Sequence, residues 1–269
     1  MFAYHFMVNA FRAGTIVAVA GGLMGWFMVL RRQTFAGHTL AVVGFPGAAG
    51  AVWLGVNAAW GYFGFCGAGA LLIAALPRAT GGDRSHESAG IGVVQAFGLA
   101  AGFLFVSLYH GFLNGVSSLL FGSFLGITDG QVLTLLLVCT AAVVALALAG
   151  RPLLFASVDP DVAAARGVPV RAVSAGFLLA LGLTVAEISQ ITGALLVFAV
   201  LVMPAAAAQA LTIRPGAGLA ASVVIAVGIT WAALTAAYHS SWPIGFWIAT
   251  FGFGVYLAAS GWRRWRSRR

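Results

Sequence analysis

Few side chains in this sequence could do chemistry, and three of them are ionisable groups at the edges of long apolar runs. His38 stands near the start of one run, where an imidazole facing other helices either ligates a divalent metal or hydrogen-bonds a carbonyl group. Glu187 and His239 stand at the ends of two other runs, where solvation at a membrane surface is the simpler interpretation. His38 is therefore the candidate metal ligand.

Two enzyme interpretations fail, one on the spacing of its residues and the other on a residue that is missing. His110, Asn114 and Ser117 have the types found in an intramembrane serine protease, but that chemistry needs the serine on a separate helix facing the histidine base. A phosphate-binding loop needs a lysine, and the sequence has none. The sequence thus predicts that the chain is not an enzyme and that any ATP hydrolysis belongs to another subunit.

The polar segment 159–167 carries a complete set of helix boundary signals. Asp159 is a suitable N-cap, Pro160 suits the first helical position, and Gly167 suits the stop. The pattern predicts a helix of about two turns between two apolar runs. Two interpretations stay open: a capped linker, or a projection that docks into a partner protein.

The composition predicts the kind of fold that positions these candidate side chains. The 269 residues are 61% hydrophobic and only 7% charged, which is too little charge to cover a soluble protein. The prediction is one all-α domain, 1–269, that forms a polytopic transmembrane helix bundle of eight to nine spans. The predicted spans are 13–30, 39–56, 60–76, 89–109, 131–149, 172–186, 191–208, 217–237 and 243–260. The stretch 111–128 is too short to cross cleanly, so a re-entrant or interfacial segment is an alternative to a span there.

The distribution of the arginines distinguishes the two sides of the membrane. The formal net charge is +8, and all but one of the arginines lie after the odd-numbered predicted spans, including the loop 151–171 and the tail 261–269. This distribution indicates membrane orientation and not a nucleic-acid surface: the N-terminus is predicted outside and the C-terminus in the cytoplasm. Arg12 is the exception, and it either snorkels, pairs with a carboxylate, or shows that the first segment is not a simple span.

Small residues and one proline shape the expected bundle. Gly21 with Gly25, and Ala18 with Gly22, form two small-residue faces that let helices approach closely in lipid. Pro204 lies inside the seventh predicted span and predicts a kink or break there. Cys66 and Cys139 both lie in apolar runs and are expected to be buried thiols.

Four segments together resemble the membrane permease subunits of zinc/manganese (ABC-3 type) ABC transporters. They are 31–41 (RRQTFAGHTLA), 119–123 (LLFGS), the capped segment 159–167, and 193–197 (GALLV) leading to 203–207 (MPAAA). Each is weak alone, but their order and spacing make the set fairly specific and cover most of the chain.

The resemblance implies a multi-pass protein of the plasma membrane that works as a homodimer. Cytoplasmic ATPase subunits would drive it, and an extracellular substrate-binding protein would deliver a zinc or manganese ion. The segment around Asp159, Pro160, Ala163, Arg166 and Gly167 would be the coupling helix that receives the motion of the ATPase. No tightly bound cofactor is implied.

The chain departs from the family at the expected metal position. Members commonly carry Asp and then His four residues apart in the second span, where this sequence has His38 and Val42. One imidazole per subunit is a weaker cation site, and two across a dimer axis would suit zinc better than manganese. Transport of a chelated metal or another small solute therefore remains an alternative.

Overall fold

The computed structural model describes residues 4–76, 85–109, 119–122 and 124–266, and the regular structure within those ranges is entirely helical. The helices are α1 (His5–Leu30), α2 (Thr34–Trp53), α3 (Ala58–Ala75), α4 (Ser85–Leu108), α5 (Asp129–Val158), α6 (Pro160–Ala165), α7 (Val170–Thr192), α8 (Val197–Leu211), α9 (Pro215–His239) and α10 (Ile244–Arg266). His110, Asn114 and Ser117, and half of the candidate re-entrant stretch 111–128, lie outside the described residues.

Eight of these helices are long and apolar enough to cross a membrane, and α8, with 15 residues, is a shorter apolar helix. The predicted all-α membrane bundle of eight to nine spans is confirmed. The predicted orientation of the termini is not tested by the fold and stays a prediction.

Two of the helix boundaries that differ from the sequence prediction change the position of charged residues. The first helix begins at His5, so Arg12 lies within α1 and does not precede it. Helix α5 continues to Val158 through Arg151 and Pro152, so the polar segment expected at 151–171 opens with helical residues. The extension is stabilised by packing, because Leu153 is buried on the inner face of that last part of α5.

The core of the bundle is built around α1, which contacts α5, α7, α8 and α9. Helix α7 contacts α3, α5 and α2, and so links the two halves of the bundle. Helices α4, α5 and α10 form much of the outer layer, where large apolar side chains such as Phe97 and Leu148 are exposed. In a bilayer those side chains face lipid.

The two small-residue faces of α1 pack on different helices. A Cβ at Gly22 would lie 2.9 Å from the Val223 Cα of α9, where the Ser222 Oγ also donates a 2.8 Å hydrogen bond to the Gly22 carbonyl. A Cβ at Gly25 would lie against the carbonyl oxygen of Leu201 on α8, far inside van der Waals contact. The glycines thus set the backbone approach of α1 to α8 and α9.

We predict that Gly25→Ala destabilises the bundle, because the added methyl group meets main-chain atoms that cannot rotate away. The expected loss in the free energy of unfolding is about 1–3 kcal/mol, the usual range for overpacking. Gly228→Ala in α9 is the matched control, since a Cβ there has nothing within 4 Å. Thermal unfolding of the purified permease in detergent measures both; a Gly25→Ala variant as stable as Gly228→Ala would contradict the packing.

Two of the four family-like segments meet where α7 and α8 are separated. Gly193 ends α7 with φ 72°, a conformation that favours glycine, and the chain then crosses the segment 119–122. The Ala194 amide donates to the Leu119 carbonyl at 3.2 Å, and the Leu195 amide donates to the Leu120 carbonyl at 3.3 Å. This crossing explains why α8 begins at Val197 and not at 191.

Candidate functional site

The short helix α6 is fixed at its start by its own sequence. The Asp159 carboxylate accepts a 3.0 Å hydrogen bond from the amide of Val162, and Pro160 occupies the first helical position. The predicted N-cap is therefore confirmed. With only six helical residues, α6 depends on such caps because its internal hydrogen bonds are few.

The end of α6 is fixed equally well. Gly167 has φ 82°, its amide donates to the Ala164 carbonyl at 2.9 Å, and the Val168 amide donates to the Ala163 carbonyl at 3.0 Å. This pair of hydrogen bonds is the Schellman motif, which satisfies the last carbonyls of a helix. The predicted glycine stop is confirmed, and α6 is a rigid turn with defined ends.

Most of α6 faces solvent. Within it only Ala163 is buried, and that side chain seats α6 against the bundle, while Pro160, Asp161, Val162 and the C-cap Arg166 are exposed. A capped helix with one buried anchor and an exposed outer face is compatible with both interpretations, a docking element and a capped linker.

Arg31 ties both flanks of α6 to the end of α1. Its guanidinium donates a 3.0 Å hydrogen bond to the Ser157 Oγ of α5 and a 2.6 Å hydrogen bond to the Ser174 Oγ of α7. The same group lies over the Phe177 ring, 5.3 Å from its centroid. The family-like segment that begins at Arg31 therefore contacts both helices that flank the capped segment.

The role of Arg31 was not visible in the sequence. There it counted only as one charge among the arginines at helix ends. Its serine partners lie 126 and 143 residues away and carry no motif, so only the folded structure brings them together.

His38 lies in the first turns of α2 and is partly buried. Its ring contacts Phe198 of α8 edge-on, with centroids 5.1 Å apart, and its Nδ1 is buried without a hydrogen-bond partner. Val42, one turn further along, is buried and apolar. The pair thus offers a single nitrogen ligand per chain.

Glu187 is not solvated at the membrane surface, so that interpretation is wrong. The side chain is 1% exposed in α7, and neither carboxyl oxygen has a hydrogen-bond partner. The residue lies one and a half turns before the end of the helix, and neighbouring helices cover it. His239, by contrast, is exposed at the end of α9.

The carboxylate of Asp129, the first residue of α5, has its direct partners on α1. It accepts a 2.9 Å hydrogen bond from the Asn9 amide and contacts His5 at 3.2 Å. Arg12 is exposed on the same helix and attracts that carboxylate only weakly, without a hydrogen bond or an ion pair within 4 Å. The structure thus places Arg12 within α1 and does not pair it directly with that carboxylate.

No cluster of three or more His, Cys, Asp and Glu side chains that could hold a metal ion occurs in the part of the chain that is described. The described part of the chain is a bundle of membrane-length helices with one capped external helix, an architecture that fits a multi-pass membrane protein.

The comparisons with known proteins agree with this class. The ABC 3 transport family matches residues 3–262. The chelated iron transport system membrane protein YfeC of Yersinia pestis is 34% identical over 96% of this chain and 86% of its own length. The manganese transport system membrane protein MntC of Halalkalibacterium halodurans is 26% identical over 80% of this chain and 72% of its own.

A solved structure shares the fold. PsaBC from Streptococcus pneumoniae, in complex with a Fab, superposes with a TM-score of 0.84, at 23% identity, over 95% of this chain and 91% of that one. The chain belongs to the ABC 3 transport family. It is a multi-pass permease subunit of the plasma membrane and not an enzyme.

Proposed function

We propose that this permease is the membrane subunit of an importer for divalent metal ions, zinc or manganese. Two copies pair around a central path, cytoplasmic ATPase subunits bind the arginine-rich end, and an extracellular binding protein delivers the ion. The names of the relatives support a metal substrate, because the similar proteins from Yersinia pestis and Halalkalibacterium halodurans are transporters of chelated iron and of manganese.

In this proposal α6 is the coupling helix, the element that the ATPase binds and moves. Its two caps keep it rigid, Ala163 anchors it, and its outer face with Arg166 is open to a partner. The ATPase moves this helix as one body, because the Schellman stop at Gly167 and the Asp159 cap resist unwinding. The outer face of α6 is thus the observation that distinguishes a driven permease from a passive scaffold.

Arg31 transmits the motion into the bundle. Displacement of α6 pulls the end of α5 and the start of α7, and both are hydrogen-bonded to the guanidinium at the end of α1. Helix α1 in turn meets α8 through Gly25, so its movement shifts the helix that contacts His38. Alternating access then follows as a shift between inward-facing and outward-facing packings of the same helices.

His38 is the proposed ligand on the ion path. A buried nitrogen without a partner costs free energy, and a passing cation would satisfy it. Two imidazoles, one from each permease of the pair, suit zinc better than manganese, which prefers oxygen ligands.

Pro204 is buried in α8, and the helix continues through it without a break. A bend of α8 at Pro204 stays a prediction.

We predict that His38→Ala lowers uptake of radioactive zinc by about tenfold or more, because loss of even an outer-shell partner of a bound metal costs about ten- to hundredfold. His239→Ala is the matched control, because that imidazole is exposed at the end of α9. Uptake is measured in cells that express the permease with its partner subunits. Normal uptake by His38→Ala would show that His38 is not a ligand on the ion path. Failure of the unaltered protein to take up any divalent metal would contradict the proposal of a metal substrate.

A chelated metal or other small solute is the second candidate. A cavity of about 940 Å³ opens where α1, α9 and α10 meet Phe121 and Gly122. Its lining includes the aromatic residues Phe6, Phe124, Tyr238, Trp242 and Phe246. Aromatic walls suit an organic ligand better than a bare ion. Uptake of the chelate with no uptake of the free metal would favour this second candidate.

A further inference from the structure

A second cavity, of about 410 Å³, lies at the opposite end of the bundle between α1, α8 and α10. Val29 of α1 and Gln209 of α8 form one side of it. Tyr256, Ser260, Arg263 and Arg264 of α10 form the other. It shares no lining residue with α6 or with the residues that contact His38, so it is a separate feature of the bundle.

The polar side chains of this cavity are donors suited to phosphate. Two arginines and two residues with hydroxyl groups line the same space, and an arginine can hold two oxygens of a phosphate at once. The three helices that line the cavity contain no aspartate or glutamate anywhere along their length. The walls therefore recognise an anion, and a phosphate group matches them in charge and in hydrogen bonding.

The position of these donors on α10 is regular. Tyr256, Ser260 and the pair Arg263–Arg264 follow one another at steps of three and four residues, so they share one face of the helix. The step from Tyr256 to Arg264 covers about two turns, or roughly 12 Å along the axis. The donors thus form a row along α10 that runs from its apolar part toward its arginine-rich end.

The flank of the same helix indicates a membrane surface. Trp262 and Trp265 lie with ring centroids 5.3 Å apart, and they are 56% and 47% exposed. Tryptophans at the end of a membrane helix mark the headgroup level of a bilayer. Nearer the start of α10, Phe253 and Leu257 are exposed and face lipid in a bilayer.

We infer that this cavity binds the headgroup of an anionic phospholipid. The phosphate lies between the two arginines and the hydroxyl groups of Tyr256 and Ser260, and the acyl chains lie along the exposed apolar side of α10. The tryptophans favour a lipid over a free phosphate, because they place the cavity at the depth where lipid headgroups lie. The inference does not depend on the transported substrate.

The test uses the full-length permease, purified in detergent and stripped of lipid. Native mass spectrometry counts bound molecules during titration with dioleoylphosphatidylglycerol, with dioleoylphosphatidylcholine, and with inorganic phosphate. The variant Arg263→Gln/Arg264→Gln is expected to weaken phosphatidylglycerol binding by roughly tenfold or more. The matched control is Arg171→Gln/Arg266→Gln, which removes the same charge from exposed positions outside the cavity. It is expected to bind like the unaltered protein.

Tyr256→Phe/Ser260→Ala provides an independent check, because it keeps both charges and removes two donors; weaker binding by this variant supports a built site. Equal binding of phosphatidylglycerol and phosphatidylcholine would overturn the inference, as would equal losses in the arginine variant and its control. If inorganic phosphate binds as tightly as phosphatidylglycerol, the ligand is a free anion and the inference of a lipid is wrong. If the arginine variant keeps the lipid but no longer binds its ATPase partner, the cavity is a protein contact and the inference fails.

Discussion

Replacement of residues 160–166 by glycine and serine, at unchanged length, is expected to abolish ATPase binding and uptake while the permease still inserts into the membrane. The change removes the Pro160 start, the buried Ala163 anchor and the exposed Arg166 together, so no rigid docking surface remains. Insertion should persist because α5 and α7 are each long and apolar enough to cross a bilayer without α6.

The control for this replacement is the connection between α8 and α9. Residues 212–214 lie between two helices as 160–166 do, and Ile213 is 97% exposed. The same glycine and serine substitution there should leave ATPase co-purification intact. An ATPase that still co-purifies with the altered α6, and still hydrolyses ATP in response to substrate, would show that α6 is not the coupling helix.

A milder version of the experiment alters only the stop. Gly167→Asp places a side chain where φ is 82°, at a cost of about 1–2 kcal/mol. The helix end then loosens while residues 160–166 keep their own side chains, so we expect ATPase binding with reduced uptake.

Arg31→Met is expected to separate ATP hydrolysis from transport. The variant loses the hydrogen bonds to Ser157 and Ser174, each of a kind worth about 1.5–3 kcal/mol when one partner is charged. The ATPase should still bind, because α6 keeps its own caps. Uptake per ATP hydrolysed should fall about tenfold, since α1 no longer follows the flanks of α6.

Arg32→Met is the control for this variant. It removes the same charge one residue along the chain, but the Arg32 side chain is exposed. Radioactive metal uptake and phosphate release, measured together in reconstituted vesicles, give the ratio. An unchanged ratio in Arg31→Met would mean that the contact is only structural, and equal losses in both variants would point to the lost charge alone.

The features that could be predicted from the sequence are those encoded over a few residues. The α6 caps depend on Asp159, Pro160 and Gly167, which act on their immediate neighbours, so the predicted helix matches the structure at both ends. The spans follow from apolar length, and the close packing at Gly25 follows from residue size.

The remaining features depend on residues far apart in the chain. The serines that hold Arg31 come from two other helices, and the burial of Glu187 depends on which helices cover α7. The start of α8 was predicted too early because the segment 119–122 crosses the chain at Gly193. Periodicity and composition carry no information about such contacts, so the sequence placed Glu187 at a solvated surface.

Transport itself is the most direct test of the account. The permease is reconstituted in vesicles with its ATPase, the binding protein is added on the outer side with radioactive zinc or manganese, and ATP is enclosed with the ATPase. We predict accumulation of metal that requires ATP and the binding protein, and that is lost when residues 160–166 are replaced. ATP-dependent uptake of neither metal, or uptake that persists after that replacement, would contradict the account.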